Sequence, residues 1–352
     1  MSTHTDPQNP LPSAKPTILE LAARLSLSKG AVSRILNDKG EGFSEETRRR
    51  VFSVAQEIGY VPNPLARALA TGRSGFIALW VQTLVTSYHA QVAHAMEEAL
   101  ETHGYQIAVT PFGRFETRRE KYAGTPAGVD GMIAHEIYGD ILPLLFRGVN
   151  RKVPVVTTGI FAPMNGYDHV YVDLSGAAED AVRHLVRSGR RRIAYASDDI
   201  HSRSQDTRFL AYHAVMAESG LEPELIGLPG SDRASIRSAL RDTIGEQGCP
   251  EALFCHNDDA AIAAYRALCD LKLRVPDDCA LVGCDGIPDT EYLPVPITTI
   301  VQPYAEMCET ACRLLERRLA DPDADLQQVT LPALLEIRES SLASPQQNRH
   351  LP

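Results

Sequence analysis

Apolar positions near the start of the chain recur at helical spacing in three short runs. Leu21, Ala22 and Leu25 share one face of a segment that Thr17 and Glu20 open as a T-x-x-E capping box. After the break Ser26-Leu27-Ser28, Ser28 serves as N-cap for a second run, in which Val32, Ile35 and Leu36 form the stripe. A third run starts at Ser44, carries Glu45 and Glu46 at the positive end of its dipole, and ends at Gly59. Its apolar face is Val51, Val54, Ala55 and Ile58. Helix, tight turn, helix and supporting helix predict either a helix-turn-helix DNA reader or another small three-helix domain.

Between Tyr60 and Gly72 the text "YVPNPLARALATG" reads as a helix with defined ends. Asn63 suits the N-cap, Pro64 the first helical position and Gly72 a left-handed stop. About two turns of helix are marginal alone in water, so this segment needs a partner. From Gly75 the pattern changes to apolar strand-like runs alternating with helical ones: "FIALWVQ", "HAQVAHAMEEALETHG", "YQIAVT", "VDGMIAH", "VPVVTTG", "DAVRHLVRSG", "RRRIAYASDD". Repeated β-α-β units predict parallel, doubly wound sheets with helices on both faces.

Charge divides the chain in the same place. The total is −10, yet from Lys15 to Arg73 ten Lys and Arg face six Asp and Glu, a net of +4 that leaves −14 elsewhere. A small basic head beside a larger acidic body suits phosphate contact by the head alone. The seven cysteines all lie from Cys249 onward without a C-x-x-C pair, and the N-terminal residues lack a secretory pattern, so reduced thiols in a cytoplasm are expected. Cys308 and Cys312 are one turn apart, but no neighbouring His or Cys completes a zinc site. No metal or cofactor is expected, and no apolar run is long enough for a membrane span.

On the second helix, Lys29, Ser33 and Arg34 lie off the apolar stripe, where Arg can read guanine and Lys or Ser can reach base edges or phosphate. Any one of them alone also reads as a solvated face, and Arg48-Arg49-Arg50 reads mainly so. In the body, Asp285 and Asn257 stand at strand ends, where ligands of open α/β sheets bind. Asp173 reads equally as a pocket group or as a helix cap. His89 and His94 have no nucleophile motif beside them, "DLSGA" is not a nucleophile elbow, and no phosphate loop or acid/base pair is evident, so no enzyme is expected.

The blocks "TILELAARLSLSKGAVSRILN", "FSEETRRRVFSVAQEIGYVPNPLARALATGRSGFIALWV", "VYVDLSGAAEDAVRHLVRSGRRRIAY", "HNDDAAIAAYRAL", "LVGCDGIPDTEYLPVPITTIVQP" and "LPALLEIRESS", in this order from Thr17 to Ser341, resemble the lactose-repressor/galactose-repressor (LacI/GalR) family of bacterial transcription regulators. The resemblance implies an α/β fold with an N-terminal three-helix helix-turn-helix head and hinge helix. The body would be a two-subdomain, type I periplasmic-binding-protein-like, doubly wound unit with three crossovers. The boundaries it implies are a disordered tail at 1–15, head at 16–61, hinge at 62–74, body at 75–343 and tail at 344–352. Within the body, one subdomain takes about 75–173 and 304–332, the other about 174–303 and 333–343.

The same resemblance implies that paired hinge helices enter the minor groove, with Leu69 as the wedge and Ala66 allowing close approach. The DNA-contacting set is then Thr17, Ser28, Lys29, Ser33, Arg34, Asn37, Asn63, Ala66, Arg67 and Leu69. Gly30 and Ala31 stand where relatives carry a base-reading side chain, which places readout on Lys29, Ser33 and Arg34. Effector contacts are expected from Tyr88, His89, Asp173, Arg208, Asn257 and Asp285, with Gly286 where many relatives repeat an aspartate. The partners expected are double-stranded operator DNA, a small effector such as a sugar or sugar acid, and a second copy in a homodimer, without a membrane. A ligand-switched repressor at the bacterial nucleoid is the function implied. A solute-binding protein on the same scaffold, with no DNA role, is the competing reading.

Overall fold

The computed structural model describes residues 16–36, 42–61, 72–111, 128–137, 153–161, 165–198, 206–230 and 232–342. Two compact units divide between Ser74 and Gly75. The expected hinge contacts Asn63, Ala66, Arg67 and Leu69, together with Asn37 and both tails, lie outside the described residues.

The first unit holds α1 (Ile18–Leu25), α2 (Lys29–Leu36) and α3 (Glu45–Glu57). Thr17 Oγ1 accepts the Glu20 amide at 3.2 Å, while the Glu20 carboxylate holds Arg24 at 3.3 Å instead of closing the box. Ser26 ends α1 in the left-handed region at φ 56°, its amide turned back to Ala22 and Ala23. Ser28 Oγ accepts from Ala31 N at 3.1 Å and Ser44 Oγ from Thr47 N at 3.2 Å, so each following helix starts on a serine cap. Leu21, Ala22, Leu25, Val32, Ile35, Val51 and Ala55 make the core; Leu36, Val54 and Ile58, expected inside, pack at its edge half-buried.

In the second unit, β1 (Phe76–Val81), β2 (Gln106–Pro111), β3 (Gly131–His135), β4 (Val155–Gly159), β5 (Asp168–Asp173) and β11 (Gln328–Pro332) form one sheet in the order β11-β5-β4-β3-β1-β2. Strands β6 (Ile193–Ser197), β7 (Glu224–Gly227), β8 (Ala252–Cys255), β9 (Ala280–Asp285), β10 (Thr298–Val301) and β12 (Leu334–Glu336) form the other, in the order β12-β10-β9-β8-β6-β7. Every pairing is parallel except β10 with β12, an antiparallel edge. The chain passes between the sheets after Asp173, Val301 and Pro332. β9 is buried along its whole length because helices cover both faces, hence its continuous apolar run.

Helices α4 (Ser87–Thr102) and α9 (Tyr304–Ala320) pack on each other and on the first sheet. Cys308 Sγ lies 3.8 Å from the Val92 carbonyl and Cys312 Sγ 3.9 Å from Met96 Sδ, so the two thiols fill the α4–α9 seam. Burial pushes Cys312 up to about 12, consistent with an inert packing thiol. Around the second sheet run α5 (Ser175–Arg187), α6 (Thr207–Glu218), α7 (Arg233–Gln247) and α8 (Asp258–Asp270). Among the described residues no helix is long and apolar enough to cross a membrane.

Candidate functional site

On the head, Lys29 and Arg34 are exposed and Ser33 is half-exposed, all on the α2 face away from the core, while Ala31 is buried beside Val32. The Arg34 guanidinium sits 5.2 Å over the Phe43 ring, a cation–π contact that orients a forked donor at the protein surface. Thr17 and Ser28 each use an oxygen lone pair as a cap, which leaves the hydroxyl proton to donate. Arg49 pairs one turn back with Glu45 at 3.6 Å and Arg50 is exposed, the solvated face expected of that run. A side chain at Gly30 would meet nothing within 4 Å, so no packing demand explains its glycine.

In the second unit the carboxyl ends of the strands bring polar groups together from both sheets. Tyr88, at the start of α4, is buried and its hydroxyl donates to Gln302 Oε1 at 3.0 Å. The amide of Gln302, just past β10, donates onward to Asp285 Oδ1 at 2.9 Å. This relay ties a helix on the first sheet to a strand end of the second. Asp285 ends β9 in the left-handed region at φ 125°. Burial pushes its carboxyl well above the usual range, with the neighbouring Asp258 adding to the shift and Arg208 opposing it.

Arg208, in the first turn of α6, is buried. Its Nε and Nη2 hold Asp206 at 2.9 and 3.3 Å, and its Nη1 donates to the His256 carbonyl. Tyr195 supports Asp206 from beneath with a 2.9 Å bond. Nη2 thus keeps one N–H for a ligand, in a guanidinium whose position is over-determined. Asp258 is the underpinning of the next turn: burial pushes it up to about 6 although it accepts from Thr299 Oγ1, Gly286 N and Ile287 N at 2.7, 2.7 and 2.9 Å. Gly286 itself takes φ 76°, and a Cβ there would meet Val301 Cα at 2.9 Å, so the second aspartate of relatives has no room.

Asp173 and Asn257 have local duties. Asp173 Oδ1 accepts from Ser175 N and Oγ at 2.9 and 2.6 Å, a local turn just ahead of α5, whose N-cap position is Leu174 and not Asp173. Asn257 caps α8 through Oδ1, 2.8 Å from Ala260 N, and retains its amide nitrogen. His94 is exposed and faces Glu97 and Glu98 on its own helix.

His89 belongs to a group that sequence reasoning missed. His89 Nδ1 meets Thr86 Oγ1 at 2.6 Å, and Nε2 lies 3.3 Å from Glu136 Oε2. His135, at the end of β3, is fully buried, with Nδ1 3.0 Å from Thr158 Oγ1 and Nε2 4.0 Å from Glu136 Oε1. Burial brings the His135 imidazole down to about 4 against the pull of Glu136. Burial would raise Glu136, but His89, His135 and Arg208 outweigh it and bring that carboxyl down to about 2. The strand-end rule that singled out Asp285 applies equally to "GMIAHE" and "TTIVQP", and would have found Glu136 and Gln302. A second cross-link, also missed, joins Ser87 N and Oγ to Asp259 at 3.0 and 3.2 Å, with Arg233 reaching both.

Residues 17–63 match the family profile of bacterial regulatory proteins, lacI family, and residues 182–341 match a periplasmic binding protein-like domain. The HTH-type transcriptional regulator PtxS of Pseudomonas aeruginosa is 30% identical over 328 residues, covering 92% of this chain and 95% of PtxS. The chain belongs to the lacI family. It is accordingly a helix-turn-helix transcriptional regulator, and its relatives are regulators, not enzymes. The lac repressor dimer bound to operator and the anti-inducer ONPF superposes with a TM-score of 0.76 at 23% identity, covering 94% of this chain and 100% of that one, a likeness of fold. A transcriptional regulator CelR–cellobiose complex gives a TM-score of 0.64 at 26% identity, over 92% of this chain and 99% of that one. Both lacI-family parts, reader and binding domain, are therefore present in one chain.

Proposed function

We propose that this lacI-family regulator is a repressor that binds a pseudo-palindromic operator as a homodimer and is switched by a polyhydroxylated metabolite, a sugar or sugar acid. Residues 16–61 read the DNA, 62–74 form the hinge, and 75–343 bind the effector and the second copy. In the head, Lys29, Ser33 and Arg34 face the major groove, with Thr17, Ser28 and Asn37 on phosphate. Asn63, Ala66, Arg67 and Leu69 act in the minor groove. In the body, Tyr88, His89, Arg208 and Asp285 line the ligand, and Asp173 and Asn257 shape its rim. The protein works in the bacterial cytoplasm, at the nucleoid.

The observation that carries this reading is the relay Tyr88–Gln302–Asp285, which spans the two sheets beside the spare donor of Arg208. Hydroxyl groups of a sugar both donate and accept, and these side chains offer both. A ligand that replaces the relay prefers one spacing of the two sheets, shifts that population, and so alters how well two hinges pair on DNA. Coupling of about 1–3 kcal/mol gives a switch of roughly five- to 150-fold.

A thermal-shift screen of sugars and sugar acids, read together with operator binding, tests it. One compound is expected both to raise the melting temperature and to change operator affinity. A chain that binds sugar but has no duplex affinity at low salt is a solute-binding protein, and the proposal falls.

A further inference from the structure

His89 enters the effector set above, yet its own surroundings are more specific than a sugar contact requires. His89 Nε2 and His135 Nε2 are both buried and have no hydrogen-bond partner among the described residues. Both point toward one carboxylate, Glu136, at 3.3 and 4.0 Å, and the ligand atoms of the three side chains lie within 4.8 Å of one another. An ion pair between His89 and Glu136 alone would leave His135 Nε2, a buried polar atom, without a partner.

We propose that His89 Nε2, His135 Nε2 and a Glu136 carboxylate oxygen bind one divalent transition-metal ion of the zinc type, with a fourth position open to water or to a ligand oxygen. Bonds of about 2.0–2.1 Å in a tetrahedron put ligand atoms about 3.4 Å apart, within a modest contraction of the spacing here. Imidazole with carboxylate is a donor set for zinc-like ions rather than for calcium or magnesium. The outer shell is in place as well. Thr86 and Thr158 hydroxyls hold the two Nδ1 atoms, which fixes the rings with Nε2 turned inward.

The backbone is adapted to this placement of Glu136. Glu136 sits at φ 51°, and its amide donates to the Thr158 carbonyl at 2.9 Å. A Cβ on Gly159, which has φ 125°, would meet Glu136 Cγ at 2.6 Å, so only glycine leaves the carboxylate its place. His89 and Glu136 retain 7% and 8% exposure against none for His135, which gives an ion an edge by which to enter. The inference depends neither on DNA binding nor on the identity of the effector.

The full-length protein, stripped with chelator and dialysed, is to be titrated with ZnCl2 by calorimetry and with CoCl2 by visible absorption. One ion per chain and the intense bands of tetrahedral cobalt are expected. His135→Gln and Glu136→Gln should each weaken Zn2+ by about a hundredfold or more, and Thr86→Val, which releases only the outer hydrogen bond on His89, by about ten- to a hundredfold. Should a variant fail to fold, X-ray absorption of the zinc-loaded wild type must still show two imidazoles and an oxygen ligand. The proposal is overturned if the wild type takes up no stoichiometric ion. It is equally overturned if binding persists undiminished in folded His135→Gln and Glu136→Gln, as an ion on exposed His94 would, or if the absorption spectrum lacks imidazole.

Discussion

Glu136 and Asp285 close two different strands, both in the left-handed region, and their surroundings push them in opposite directions. Glu136 is matched by histidines; Asp285 is buried with an aspartate near it and has one amide donor from Gln302. Stability is sacrificed at Asp285, as expected of a residue kept for a ligand. Asp285→Asn keeps shape and tolerates the backbone, so unfolding free energy at neutral pH should hold or rise by about 1 kcal/mol. The same substitution should weaken effector binding at least about tenfold, since one carboxyl oxygen able to accept from a ligand hydroxyl becomes an amide nitrogen that cannot. Chemical denaturation and calorimetry check the two halves separately. His169 offers a pH test away from the ligand. It is held by Thr157 Oγ1 at 2.7 Å and the Phe161 carbonyl at 3.1 Å, and burial brings it down to about 4 from 6.5. The unfolded chain therefore binds the proton first, and stability falls as pH drops from about 6.5 to about 4, by on the order of 2–3 kcal/mol. Above that window the group contributes no slope. Denaturation midpoints of wild type and His169→Gln should diverge less at pH 5 than at pH 7.5.

At the scale of elements, much was legible because local chemistry wrote it. Thr17, Ser28 and Ser44 accept amides three residues on, and the three apolar stripes meet in one core. The strands from "FIALWVQ" to "VPVVTTG" were readable for the same reason, as apolar runs between helical ones. Partnerships distant in sequence were not. Ser87 meets Asp259 across 172 residues and Tyr88 meets Gln302 across 214, and no periodicity carries that information. His135 was hidden for another reason: inside an apolar strand a histidine reads as core, and only its adjacency to Glu136 and, through space, to His89 gives it chemistry. Gly30 is an element-scale test of the head. It lies exposed in the first turn of α2 with open space around it, so Gly30→Ala should stabilise that helix by about 0.5–1 kcal/mol. Slower amide exchange at Ile35 and Leu36 would register it. Operator affinity should change little, whereas Arg34→Ala should relax base preference by about 1–3 kcal/mol at one position.

For the whole molecule the decisive quantities are charge and the coupling between binding domain and reader. A head of +4 on a chain of −10 confines phosphate attraction to one end. Operator affinity should therefore fall steeply with salt, and Lys29→Ala, which removes a base-reading group, should change base preference at one position more than it lowers affinity for all sequences. A lysine on phosphate instead would lower affinity for all sequences alike and reduce the log–log salt slope by about 0.9, which distinguishes the two roles. Coupling is tested at Leu69, outside the described residues, where the family resemblance places an apolar wedge for the central base step. If Leu69 is that wedge, Leu69→Gly removes it, so operator affinity should drop by a few kcal/mol while effector binding to the body stays intact. The effector should then no longer alter DNA binding, because the element whose folding it biases has been lost from both states. Gel-shift titrations with and without effector measure it. An operator affinity and an effector response that both survive in Leu69→Gly would mean that the two heads, not the hinges, transmit the signal.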